Sequence, residues 1–253
     1  VKLIWQVQVV PSKTSDWWMM QVDAINGNII GKTNLTVYEG HGHENKPEQN
    51  LTHAFQNYFF NTDGPQQNDR TALVNTVNYL VCPYPAESPI HPGGAPAVRT
   101  NPWTSAAGNA SSLGWHNDGN TDYTISRGNN VWATEDRAGT NTNTGISTPT
   151  GLPASSSTSP DPLNFQFTPN FSNNPTTATN QQFSITNLFY WNNLMHDLNY
   201  QYGFNEVAGN FQANNQGRGG AQGDYVIAVT QSSTGYNNAN FATPSDGGRP
   251  RMR

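Results

Sequence analysis

The sequence is short of charge. Of 253 residues only 12 are Lys or Arg and 17 are Asp or Glu, a net charge of −5. Twelve basic side chains cannot pave a broad phosphate-binding face, which argues against nucleic acid as a partner. No apolar run approaches the roughly 20 residues that cross a bilayer as a helix, so no membrane partner is expected. Cys82 is the one cysteine, and it excludes an internal disulfide framework. In the apolar run Tyr79-Leu80-Val81-Cys82-Pro83 it reads as a packed, unreactive thiol. Two His four apart would project both imidazoles from one helix face onto zinc. That pair is also missing: the residues four after His41, His43, His53, His91, His116 and His196 are Asn45, Pro47, Asn57, Ala95, Asn120 and Tyr200.

Neutral polarity fills the gap. The chain has 34 Asn, 26 Thr, 23 Gly and 17 Pro, and its mean hydropathy is −0.68. Disorder would need low hydrophobicity together with high net charge. With 11% aromatic residues, a folded, loop-rich protein of one large or two small domains is expected, with an extracellular look. The chain starts at Val1 without an initiator Met and stops at Arg249-Pro250-Arg251-Met252-Arg253 without a closing element. It therefore reads as a fragment.

Three regions emerge along the chain. Residues 1–38 form a β-rich unit: Leu3–Val10 alternates as a half-buried strand, Met20–Ala24 follows, and Asn26-Gly27 signals a two-residue hairpin turn before Ile29–Tyr38. Residues 39–75 are polar and rich in breakers, the best linker. From 76 a second unit opens with the strand Val77–Val81. Tyr123–Ala133 reads as two short strands around Gly128-Asn129-Asn130, and 138–162 as a long exposed loop. One helix spans about 181–202, with Leu188, Trp191, Met195, Leu198 and Tyr202 as its apolar stripe and Asn192, Asn193, His196 and Asn199 opposite. Gly203 stops it. Asp224–Val229 is a central strand.

Most candidate motifs have plain readings. His41 and His43 could share an ion with Glu44, but a solvated tract is the simpler account. His196-Asp197 reads as a hydrogen-bonded pair in a packed interface, with a role at a metal as the alternative. Gly217–Gly223 resembles a phosphate cradle, yet it follows a helix and enters a strand, the reverse of what phosphate binding at a helix N-terminus needs. It reads as a flexible connection.

The order of motifs carries more. Phe189-Tyr190-x-x-Asn193-x-x-His196-Asp197, Tyr202-Gly203-Phe204-x-Glu206-x-x-Gly209-Asn210-Phe211-Gln212, Asp224-Tyr225-Val226-Ile227, Asn237-Asn238-Ala239-Asn240-Phe241-Ala242-Thr243-Pro244 and Pro250-Arg251-Met252 resemble the fungalysin family of zinc metallopeptidases. Upstream, Trp115-His116 and Tyr123-Thr124-x-x-Arg127-Gly128-Asn129-Asn130-Val131 continue the match. Residues 1–38 are similar to the PepSY-type end of that family's inhibitory propeptide. Where family members often have Gln-Asp-Gly, this chain has Gln231-Ser232-Ser233.

The resemblance implies an α+β fold: the β-rich amino-terminal lobe of a thermolysin-like metallopeptidase with one long amphipathic helix, after a small β-rich propeptide remnant. It implies three parts: 1–38 as propeptide end, 39–75 as a junction holding the activation cleavage, and 76–253 as an incomplete catalytic domain. Zinc is expected in the full-length enzyme, calcium is left open, and no metal is expected to be held tightly by this fragment. Catalytic residues are expected beyond Arg253, leaving no metal ligand here and a fragment inactive on its own. Asn238 and Ala239 are similar to the strand that pairs with the substrate backbone. The implied partners are polypeptide substrates and the protein's own propeptide as an intramolecular inhibitor, and the implied location is secreted. The rival reading is a non-catalytic extracellular binding or adhesion module, suggested by Asn/Thr-rich loops and exposed-looking Trp residues.

Overall fold

The computed structural model describes residues 3–9, 18–34, 76–86, 88–106, 108–141, 145, 148–159, 161–235 and 238–253. The chain divides into two units, Val1–Leu51 and Thr52–Arg253. The proposed junction at 39–75, with His41, His43 and Glu44, lies outside the described residues.

The first unit is an antiparallel meander of β1 (Ile4–Val9), β2 (Trp18–Asp23) and β3 (Ile29–Asn34). The expected two-residue turn is a four-residue loop, Ala24–Gly27. The Asp23 amide donates to Asn28 O, and the Gly27 amide closes back on Asp23 O at 2.9 Å. Asp23 sets this length, because its carboxylate accepts from the Ile25 amide at 2.9 Å. Gly27 then needs φ +74°, which glycine adopts without steric cost.

The second unit holds two sheets and one α-helix among the described residues. The first sheet has the order β5-β4-β7, with β4 (Val77–Val81) antiparallel to β5 (Ala97–Thr100) and parallel to β7 (Leu163–Phe165). The second has the order β6-β8-β10-β9: β6 (Val131–Glu135), β8 (Val226–Thr230) and β10 (Arg251–Met252) are parallel, while β9 (Phe241–Ala242) runs antiparallel to β10. Helix α1 (Ala178–Gln201) packs on β4, β6 and β8. The described chain is thus α+β, and β8 is the central strand expected.

Strand alternation sorts the apolar residues onto two faces. Val131, Ala133, Val226 and Ala228 face the main core with Tyr79, Trp115, Phe165, Phe189, Tyr190 and Leu194. Tyr225, Ile227 and Val229 form a small cluster on the other face with Trp132, roofed by the Arg127 guanidinium 4.0 Å from the Trp132 ring centre. Each fully buried large side chain contributes roughly 1.5–3 kcal/mol. Trp115 is completely buried, which removes one support of the adhesion reading.

The helix ends as its sequence foretells. Gly203 has φ +98°, with the Phe204 amide donating to Asn199 O at 3.0 Å and the Gly203 amide to Tyr200 O at 3.1 Å, a Schellman closure. Its buried face, however, is not the expected stripe. Met195 and Tyr202 are exposed, whereas Asn193 and Asp197 are fully buried. The polar pair can be buried because each is hydrogen-bonded: Asn193 to Asn130 and to Phe189 O, Asp197 as described below.

Two loop expectations also change. Tyr123–Arg127 contributes only isolated bridges, at Ile125↔Ser155 and Arg127↔Trp132, so only Val131–Glu135 becomes a strand. The 138–162 segment is not uniformly exposed: Pro149 and Ala154 are buried. The Leu152 amide donates to Glu135 Oε1 at 3.3 Å and the Ala154 amide to Ser126 Oγ at 2.9 Å.

Candidate substrate edge

Two buried polar frameworks hold the loops around α1. The Asp197 carboxylate accepts from Ser111 Oγ (2.6 Å), Trp115 Nε1 (2.9 Å) and His196 Nδ1 (3.1 Å). His196 Nε2 accepts from Asn210 Nδ2 at 3.4 Å. Glu206, also buried, accepts from Arg218 Nε at 2.7 Å and from Tyr200 Oη at 2.8 Å. The 217–223 connection is therefore tied down rather than flexible. Asn215 Nδ2 donates to Gly219 O and Ala221 O, and a Cβ at Gly220 would lie 1.9 Å from Glu206 O.

These donor sets do not suit zinc. His116 is buried between Phe165 and Phe189, its Nδ1 donating to Ile125 O at 3.0 Å and its Nε2 accepting from Tyr79 Oη at 2.7 Å. Burial drives its pKa down to about 3, against the raising effect of its backbone hydrogen bonds. Both ring nitrogens are engaged, so neither has a lone pair to offer a metal. The His196 ring is likewise held between Asp197 and Asn210. No group of three or more His, Cys, Asp or Glu among the described residues could hold a metal ion.

A cavity of ≈ 870 Å³ lies between the first half of α1 and the 82–89 and 169–175 segments, lined by Tyr84, Phe171, Phe183 and Trp191 among others. Part of its polar lining is tied internally: the Cys82 amide donates to Asn187 Oδ1 and Trp191 Nε1 to Cys82 O. Burial pushes the Cys82 thiol pKa up, consistent with a packed, unreactive sulfur. None of residues 238–242 lines this cavity.

The edge strand is different. Strand β9 is the last of its sheet, and Asn238 and Ala239 lead into it, both exposed. Asn240 exchanges both main-chain hydrogen bonds with Arg253, at 2.7 and 2.9 Å, and the ladder continues as Phe241↔Met252 and Ala242↔Arg251. Alternate residues of an antiparallel strand turn their peptide groups to opposite sides. The C=O of Ala239 and the N–H and C=O of Phe241 therefore point away from β10, and an extended Ala239 would turn its N–H to the same side. Asn237 lies outside the described residues.

Side chains alternate as well. Phe241 stands on the same face as Ala239, its ring 5.8 Å from Phe211, which meets Phe204 at 5.5 Å. Phe241 and Phe204 are each more than a third exposed, giving an aromatic shelf beside the edge. On the opposite face, Arg251 Nη2 donates to Asn240 Oδ1 at 3.2 Å and Nη1 to Asn141 O at 3.3 Å. Asn141 is fixed in turn, its amide and Nδ2 donating to the buried Asp136 carboxylate. Ser232 Oγ donates to the other oxygen of Asp136 at 3.0 Å. Here the departure at Gln231-Ser232-Ser233 supplies a donor where an Asp would bring a second carboxylate. Sequence reasoning missed Phe241, Asn240 and Arg251; strict alternation on both sides of Ala239 was the available signal for the first two.

The family model for the fungalysin metallopeptidases (M36) matches residues 78–253. Extracellular metalloproteinase MEP of Pyricularia oryzae is 42% identical over 180 residues, covering 71% of this chain and 26% of that protein. Extracellular metalloproteinase 2 of Arthroderma otae is 38% identical over 180 residues, again 71% and 26%. The Trichophyton rubrum protein of the same name is 40% identical over 160 residues, 63% and 23%. The chain spans about a quarter of the length of these curated relatives. It belongs to the fungalysin metallopeptidase family.

Proposed function

We propose that this chain is part of a secreted zinc-dependent endopeptidase made as a zymogen, and that it supplies the wall along which a peptide substrate lies. The observation that carries this reading is the edge at Ala239, which has no main-chain partner among the described residues: outward peptide groups at Ala239 and Phe241 stand next to the exposed side chain of Asn238. An extended peptide added there pairs by main-chain hydrogen bonds, independent of its sequence, while flanking side chains set preference. The Phe241–Phe211 shelf favours an apolar substrate side chain over Ala239, whose small Cβ leaves room for it.

The family implies zinc, which when bound would activate water and polarise the scissile carbonyl. The described residues of this chain do not fit that ion. Their part is to hold and orient the peptide. Secretion is supported by the names of the relatives, each an extracellular metalloproteinase. Residues 1–38 are proposed as the end of a PepSY-type inhibitory propeptide, released by cleavage within 39–75.

The test uses the full-length protein. Casein hydrolysis should be abolished by phenanthroline, restored by zinc, and weakened in Ala239→Pro, which removes the main-chain N–H of the edge. Chelator-insensitive hydrolysis, or full activity in a folded Ala239→Pro enzyme, would overturn the reading.

A further inference from the structure

Edge strands bend and slip unless something fixes them, because half of their main-chain groups have no partner. Here β9 and its partner β10 are only two residues long each, extended by the Asn240–Arg253 pair. A ladder this short fixes register weakly. The missing constraint comes from a side chain on the neighbouring strand.

We infer that Arg251 is a positioning residue for the substrate edge, gripping Asn240 so that the peptide group of Ala239 is presented at a fixed angle. The inference rests on the edge reading above. Arg251 is 7% exposed and stands on the same face as Asn240 and Ala242. Its two terminal nitrogens reach acceptors on different elements: Asn240 Oδ1 on the edge and Asn141 O on the 136–141 turn. That turn is clamped to Asp136 by the Thr140 and Asn141 amides at 2.9 and 3.2 Å. A rigid line thus runs from a buried carboxylate through Asn141 and Arg251 to Asn240, the residue after Ala239. A planar guanidinium holds two acceptors in one fixed geometry, and a lysine ammonium cannot reproduce that fork.

The test is steady-state kinetics of the full-length peptidase with a hexapeptide long enough to lie along the edge and a dipeptide amide too short to do so. Arg251→Lys and Asn240→Ala should each raise KM for the hexapeptide about tenfold and leave kcat within about twofold, with the dipeptide unaffected. The double variant should be no worse than the worse single one, because both remove one contact. Asn240 is only partly buried, so its variant keeps the test open if Arg251→Lys folds poorly. Equal losses for both peptides, or additive effects of the two substitutions, would overturn the inference and leave Arg251 a structural residue. Ala239→Pro run alongside separates the two ideas: an unchanged hexapeptide KM there refutes the edge reading itself, whereas a raised one with unchanged KM in Arg251→Lys and Asn240→Ala refutes only this inference.

Discussion

The indole N–H of Trp115 donates to the carboxylate of Asp197, 82 residues away, at 2.9 Å, with both side chains sealed from solvent. This bond ties the loop before β6 to the last turns of α1. The same carboxylate takes Ser111 and His196, so its charge is spread over three donors. Asp197→Ala would strand them in the core, each unsatisfied donor costing about 1–3 kcal/mol, so the total should exceed that of losing one donor. Trp115→Phe removes one donor and part of the volume, about 1–3 kcal/mol. Urea unfolding of the two variants checks the order. Equal, small losses would mean the carboxylate is not the anchor.

His116 makes acid stability predictable. Its folded pKa of about 3 lies below the unfolded value of about 6.5, so the unfolded chain takes up the proton first. The contribution of the neutral ring is complete above about pH 6.5 and is lost as pH falls toward 3. Between pH 7.5 and 4.5 this histidine alone should remove about 3 kcal/mol. His116→Gln should be less stable at pH 7.5 yet lose less on acidification. Denaturant midpoints at the two pH values measure it, and parallel losses in both proteins would exclude His116 as the cause.

The Glu206–Arg218 pair gives a second stability test. Glu206 is 2% exposed, and without Arg218 its charge would keep only the Tyr200 hydroxyl. Arg218→Met should cost about 2–4 kcal/mol, below the full value for a buried pair because the arginine side chain is about a quarter exposed. Glu206→Gln, which keeps a hydrogen-bonding group and removes the charge, should cost less. Thermal unfolding ranks the two.

Latency and release of the amino-terminal unit are also testable. If 39–75 carries the activation site, N-terminal sequencing of the activated enzyme should begin within that segment. A mature N-terminus before residue 39 or after residue 75 would contradict the assignment.

The elements most legible in the sequence were those fixed by local pattern. Val77–Val81 is a strand with the expected bounds, and α1 runs 178–201 against an expected 181–202. What was hidden depended on distant partners. Asn193 looks solvent-facing by polarity alone, and its burial depends on Asn130, far away in sequence. His196-Asp197 is legible as a hydrogen-bonded pair in a packed interface, but its partners Ser111 and Trp115 are not. The 138–162 segment has a loop's composition, yet Glu135 and Ser126 bind its backbone. Asn238 and Ala239 were legible only by family resemblance. The Arg251–Asn240 grip was not legible at all, because nothing local distinguishes that arginine from its neighbours Arg249 and Arg253.

Amide hydrogen exchange at single-residue resolution, on the full-length protein with and without a peptide competitor, tests the edge most directly. The account predicts that the competitor newly protects the amides of Ala239 and Phe241 and leaves Asn240 unchanged, since Asn240 already donates to Arg253. Protection with no alternation along 239–241, or none there at all while the peptide is bound, would contradict it.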